Sequence, residues 1–322
     1  MVTLCKTHDM GTVEMRKAYC DALIEAAKDD PRIVSLNCDL SSSCGTVPFA
    51  KAFPERSFNF GIQEANTCCV AAGMSAMGMV PFFHSFAVFS SRRIYDQIFI
   101  SCAYAGQNVK IIGCDSGVSG TYNGGTHMAF DDVGILRGIP NVTIIEPSDT
   151  VMMKSLVRQM AQTYGLFYMR TPRKQVERIY EEGSCFEIGK AALLREGKDV
   201  SIIASGMTVI EALKAADALA QQNIRARVVD MFTIKPIDVQ CVLDCAAQTG
   251  AIVTVENHSI IGGLGSAVAE TLAESIPVPI ERVGVQDEFG EVGQLDYLKK
   301  RFGLTSENIC EKVKKVLARK KA

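Results

Sequence analysis

Short β-rich runs alternate with helix-length segments along this chain, and that rhythm limits its fold more than any other feature. In the first half the strand-like runs fall at 32–38 (RIVSLNC), 80–83, 109–114 (VKIIGC), 142–146 and 167–170. Apolar residues at helical spacing mark 15–27, 64–77, 91–103 and 151–163. The second half repeats the rhythm, with strands at 200–204, 226–230, 251–256 and 280–283 and helices at 208–222, 238–249 and 265–274. An amphipathic tail at 306–322 ends in basic residues that complement a helix C-terminus. Strands joined by helical crossovers pair in parallel with right-handed connections. The expected fold is therefore α/β, with two domains that each carry a parallel sheet flanked by helices. Residues 176–190 (VERIYEEGSCFEIGK) are charged, turn-rich and without a long apolar run. They read as a linker between a domain at 1–175 and a second at 191–322.

Bulk properties agree with two packed domains. The length of 322 residues suits about two domains, and 48% hydrophobic content suits sizeable cores. Lys+Arg 34 against Asp+Glu 36 leaves a net charge of −2, which excludes a global field for nucleic acid. No run approaches the ~18 apolar residues of a membrane span, and the start, MVTLCKTHDM, lacks the apolar core of a signal peptide. A soluble, cytoplasmic protein is expected. The 12 cysteines include no CxxC pair, and none of the 4 histidines (8, 84, 127, 258) lies beside a cysteine pair. That pattern argues against a disulfide framework or a structural zinc and for small buried residues.

Four segments could carry chemistry. In FGIQEAN, Glu64 opens a helix rich in small residues; it is either a charge favoured by the helix dipole or a buried carboxylate awaiting a donor. FFHSFAVF holds four of the 15 phenylalanines, as core or as a platform for a flat heterocycle. The loop from Cys114 to His127 has four glycines, follows a buried strand and ends in GGTH. Ligands bind to loops of this kind, beyond strand C-termini. Gly262, Gly263 and Gly265 after Glu256-Asn257-His258 fit no dinucleotide fingerprint and read as a tightly packed helix entry.

In this order the segments resemble the C-terminal half of transketolase across nearly the whole chain. FNFGIQEAN resembles the family's glutamate motif, HSFAVF its aromatic segment and the GGTH loop its G-x-TH loop. DMFTIKPID and VTVENHSIIGGLGSAVAE resemble its C-terminal domain. The resemblance implies a pyrimidine-binding domain followed by a Rossmann-like C-terminal domain, and thiamine diphosphate as cofactor. The diphosphate domain of the family carries a GDG…N motif that this sequence lacks. The chain thus looks like the small subunit of a split transketolase. Its implied partner is an N-terminal subunit that carries the diphosphate domain and holds Mg²⁺ (or Ca²⁺), in an α2β2 heterotetramer.

Residue by residue, the resemblance assigns Glu64 to the aminopyrimidine N1′, Phe86 and Phe89 to stacking on that ring, and Asp39 to the cofactor's surroundings. A third aromatic position of the family is Arg92 here. His127 matches the histidine that hydrogen-bonds substrate oxygens and moves protons. Arg16, Ser43 and Arg170 match positions that bind the substrate's phosphate. Cys114 replaces a phosphate-facing histidine, and Asn123 an aspartate that reads a substrate hydroxyl. These two departures suggest a shifted substrate, an unusual ketose phosphate or a sulfonated sugar. Rival readings are the E1 β subunit of a 2-oxo-acid dehydrogenase, an enzyme like deoxyxylulose-phosphate synthase, and a non-catalytic assembly subunit.

Overall fold

A computed structural model describes residues 2–320. The first half forms β1 (Ile33–Asn37), β2 (Ser57–Asn59), β3 (Val80–Phe86), β4 (Lys110–Cys114), β5 (Thr143–Ile145) and β6 (Phe167–Thr171). The second half supplies β7 (Ala192–Arg195), β8 (Val200–Ala204), β9 (Ala226–Asp230), β10 (Thr233–Lys235), β11 (Ile252–Ser259) and β12 (Ile280–Val285). Two sheets result, in the orders β10-β5-β6-β4-β3-β1-β2 and β12-β11-β8-β9-β7. All pairings are parallel except β10 on β5 and β7 on β9, both at sheet edges. The central strands β1, β4 and β6 are buried at every position, as strands covered by helices on both faces must be, and their polar residues (Asn37, Lys110 and Arg170 among them) are buried with them.

Helix Met15–Asp29 packs its buried Met15, Tyr19 and Leu23 beside helix Thr150–Gln162 over one face of the first sheet. Helix Glu64–Ala76 covers the other face with Cys68, Ala71 and Ala72; these small side chains let the helix lie close to β3. Among the described residues no helix is long and apolar enough to cross a membrane.

Four features depart from the sequence expectation. β3 runs on to Phe86, so half of the aromatic segment lies within the sheet. The helix expected at 91–103 includes a wide π-helical turn, Ile98–Tyr104. Residues 176–190 are no free linker. Leu4 bridges Tyr180 and Met10 bridges Glu177. Asp149, which caps helix Thr150–Gln162, also accepts from the Ile179 and Tyr180 amides at 2.9 and 2.8 Å. Finally, β10, from the 191–322 segment, joins the first sheet by pairing with β5.

Candidate active site

The chain leaves β1 for β2 on one side and then crosses back to β3 on the other. Loops that diverge from adjacent strands in this way open a crevice at the strand C-termini. Asp39 sits just past β1, exposed, with φ 60° and its amide donating to Asn59 Oδ1 at 2.9 Å. Phe86 ends β3, Cys114 ends β4, and the loop to His127 follows.

Glu64 opens helix Glu64–Ala76 and is only 3% exposed. Its Oε1 accepts from Ser85 Oγ at 3.4 Å, and its Oε2 pairs with Arg93 Nη1 at 2.9 Å. The Arg93 guanidinium also stacks 3.7 Å from the centroid of Phe89. No motif singles out Arg93; its one signal is an Arg-Arg pair one turn beyond the aromatic segment. His127 lies edge-on to Phe86 and Phe89, with ring centroids 5.9 and 5.2 Å away, and its Nδ1 is 2.9 Å from Thr126 Oγ1. Glu64, Phe86, Phe89 and His127 therefore form one connected wall. Arg92 turns away from this wall, toward the Thr126 carbonyl and Asp131.

The wall fits a flat heterocycle. Arg93 shows what it accepts: a planar cation that lies over Phe89 and pairs with a dry carboxylate. A protonated aminopyrimidine has both properties. Among the described residues no group of three or more His, Cys, Asp or Glu is disposed to hold a metal ion.

Beside the wall lies a cluster of cations. The Arg16 amide donates to the Arg173 carbonyl and the Met15 amide to the Lys174 carbonyl, so the two segments run together. Arg16 Nη1 donates to the Ser42 and Ser43 carbonyls at 3.1 and 3.2 Å, which brings Ser43 to this end of the crevice. Arg173 reaches toward the Phe86 ring and pairs through Nε with buried Asp115 at 3.0 Å. Burial pushes the Asp115 carboxyl up to about 6, against the pull of Arg173. Asn123 is exposed on the loop rim. Cys114 is buried, and the hydrogen bond with Cys44, together with burial, pushes its thiol well above the usual range. It stays a neutral thiol beneath the crevice.

The structure does not bring Arg170 to the crevice. Its guanidinium is 0% exposed and bonds Asp132 (2.9 Å), Glu146 (2.9 Å) and the Asn257 carbonyl (3.0 Å). Burial works against its charge, but Asp132 and Glu146 outweigh it and raise the pKa further. Nε, Nη1 and Nη2 all donate to protein acceptors in the seam between the two sheets, so no nitrogen is turned toward a substrate. Arg173, three residues on, is 21% exposed and reaches toward the Phe86 ring instead. The sequence RTPR offers both arginines, and only the end of β6 at Thr171 separates the buried one from the open one.

The second domain shapes the glycine-rich loop. Asn257 donates to the Ser116 carbonyl (3.0 Å) and accepts from the Val118 amide (2.9 Å). Gly117, at φ +56°, lies so near that a Cβ would meet Asn257 Oδ1 at 2.1 Å. Glu256 accepts from the amides of Leu264 and Gly265 at the entry of helix Leu264–Ala273.

Residues 11–178 match the family model for the transketolase pyrimidine-binding domain, and residues 189–309 that for the transketolase C-terminal domain. The chain is 49% identical over 306 residues to a 6-deoxy-6-sulfo-D-fructose transketolase subunit of Clostridium sp. (strain MSTE9), covering 95% of each. It is 37% identical over 300 residues to a subunit of an apulose-4-phosphate transketolase of Phocaeicola vulgatus, covering 93% of this chain and 96% of that one. Among solved structures it resembles a split-gene transketolase described as an inactive β4 tetramer. The TM-score is 0.89 at 43% identity, covering 95% of this chain and 99% of that one.

Proposed function

Since the chain belongs to the transketolase family, we propose that it is the C-terminal subunit of a thiamine-diphosphate-dependent enzyme that transfers a two-carbon ketol unit from a ketose to an aldose. The observation that carries this reading is the connected wall of Glu64, Phe86, Phe89 and His127 beside the Arg16 and Arg173 cluster. Thiamine diphosphate, when bound, supplies the carbon nucleophile that takes up and passes on the two-carbon unit.

This chain's residues prepare the place for it. Glu64, kept dry, accepts a hydrogen bond from the aminopyrimidine, and Phe86 and Phe89 offer that ring a face. Asp39 borders the same crevice at the end of β1. His127 hydrogen-bonds the substrate oxygens and moves the proton there, a role general acid–base groups fill at ~10²–10⁴-fold. Asn123, at the loop rim, donates to or accepts from a substrate hydroxyl. Arg16 and Arg173, with Ser43, hold a terminal anion, a phosphate or a sulfonate. Arg173 takes the place that the family resemblance gave to Arg170, and Cys114 fills space under the anion.

The partner is an N-terminal subunit carrying the GDG…N diphosphate domain, which holds the Mg²⁺ (or Ca²⁺), in an α2β2 heterotetramer with two shared sites. The split-subunit relatives support this division of labour. The test is co-expression with that partner and a ketose–aldose screen with thiamine diphosphate and Mg²⁺. Ketol transfer by the pair, and loss of it in Glu64→Ala with assembly intact, is the expected result. Retention by Glu64→Ala of more than about a tenth of kcat contradicts the role given to Glu64. Oxidative transfer from a 2-oxo acid to a lipoyl group would instead favour the E1 reading.

A further inference from the structure

We propose that Glu14 sets the charge of the anion end of the crevice, so that it prefers a singly charged terminal group such as a sulfonate over a doubly charged phosphate. This rests on the ketol-transfer reading above and goes beyond it, because it names a residue that decides between two substrate classes.

Three cations meet at this end: Arg16, Arg173 and Lys174. Two carboxylates stand among them. Asp115 takes Arg173 Nε. Glu14 takes Arg16 Nε at 2.7 Å and Lys174 Nζ at 3.0 Å. Three positive charges against two negative ones leave a single positive charge for the ligand. A sulfonate is a monoanion at every working pH. A phosphate monoester carries about −1.5 to −2 at pH 7, and its second charge finds no counter-charge here.

Glu14 also decides how Arg16 can bind. With Nε on Glu14 and Nη1 on the Ser42 and Ser43 carbonyls, Arg16 has only its Nη2 edge to offer. The two-pronged grip that suits phosphate needs a free pair of nitrogens. Among the described residues, Arg173 alone of the two guanidinium groups keeps its outer pair without a protein hydrogen bond. Glu14 is half-buried, with 24% of its side chain exposed, close enough to the interior for its charge to be felt. It acts through Arg16 and Lys174, so it is a positioning residue rather than a catalytic one.

The test uses the complex of this chain with its diphosphate-domain partner. The kcat/KM of wild type, Glu14→Gln and Glu14→Asp is measured on a 6-sulfonated ketohexose and on the matching 6-phosphate. Wild type is expected to favour the sulfonate. Glu14→Gln should move the ratio toward the phosphate by roughly 5–30-fold, chiefly through KM, and Glu14→Asp should restore most of the preference. Binding of methanesulfonate and methyl phosphate to the same three complexes, by calorimetry, should shift in parallel. That arm decides the matter even for a complex that turns over neither sugar. A ratio that Glu14→Gln leaves within about twofold in both arms, or a wild-type preference for the phosphate forms, overturns the role of Glu14 and leaves ketol transfer standing. A complex that transfers no ketol unit from any ketose, yet shows the anion shift, overturns the enzymatic reading and leaves Glu14 as the charge-setting residue.

Discussion

Replacing Arg170 by methionine separates a structural arginine from a substrate-binding one. The side chain is wholly buried, and both of its carboxylate partners are as well, Asp132 at 0% and Glu146 at 1%. Methionine fills much of the volume but leaves two buried carboxylates facing each other without a cation. Breaking a buried pair from one side costs about 3–5 kcal/mol. At ~2–4 °C per kcal/mol for a chain somewhat smaller than this one, the midpoint of thermal unfolding should drop by roughly 6–20 °C. Arg173→Met should behave in the opposite way. Arg173 is 21% exposed and its loss strands only Asp115. Its midpoint should move by a few degrees, while KM for the anionic ketose rises ~10–100-fold as a charge-assisted contact disappears. The assays are thermal unfolding by circular dichroism of each chain and steady-state kinetics of each assembled enzyme. An Arg170→Met chain that melts within about 2 °C of wild type but shows the raised KM would refute the assignment and return the anion to Arg170.

Three further outcomes follow from the geometry. His127→Ala should lower kcat/KM by ~10²–10⁴-fold with little change in thermal midpoint, since its ring is half-buried and meets Phe86 and Phe89 in T-shaped contacts; unchanged kinetics would remove it from the reaction. Asn257→Ala unpairs the Val118 amide and the Ser116 carbonyl; about 1–3 kcal/mol of stability should go, and kcat should fall although residue 257 is wholly buried. Asp230 is fully buried, accepts from Tyr180 Oη at 2.7 Å, and is pushed up to about 7 by burial, against the hydrogen bond from Tyr180. Its folded pKa lies above the unfolded value of ~3.9. The folded chain thus holds the extra proton between those values, and stability is lost as pH rises through that window. Asp230→Asn should raise the thermal midpoint at pH 8 and not at pH 4; an equal gain at both would show that charge is not the cause.

Much of the fold was legible because it depends on local pattern. Strands such as β4 and β8 are short, mostly apolar runs, and the helices between them carry apolar residues at helical spacing. What stayed hidden depends on contacts distant in sequence. β10 is three residues long, and nothing local says that Thr233 will pair with Ile145. Residues 176–190 look like a tether by composition, yet Asp149 fixes two of their amides. The site shows the same divide. Glu64, Phe86, Phe89 and His127 stand in recognisable motifs, and they meet. Arg170 and Arg173 share one motif, and only the position of the strand end decides which of them is buried. Arg93 and Glu14 have no motif of their own; each matters through the charge it neutralises.

The second domain supplies no side chain to the wall, yet the loop that carries His127 depends on it. That loop runs from Asp115 at φ 57° through Gly117 at φ 56° and Thr121 at φ 44° to Gly124 at φ 75°. Two of these four are not glycines, so the path stores strain that the surroundings must offset. Asn257 offsets it at the near end by bonding both Ser116 and Val118. At the far end, the backbones of Gly125 and Gly290 approach so closely that a Cβ on Gly125 would lie 2.2 Å from the Gly290 carbonyl. The loop is thus clamped at two points by a domain whose own sheet is held to the first through Arg170, Glu146 and Ser205. His127 keeps its place between Phe86 and Phe89 because this clamp fixes the loop that bears it. A transketolase subunit that lacked the second domain would retain Glu64 and both phenylalanines and lose the alignment of its histidine.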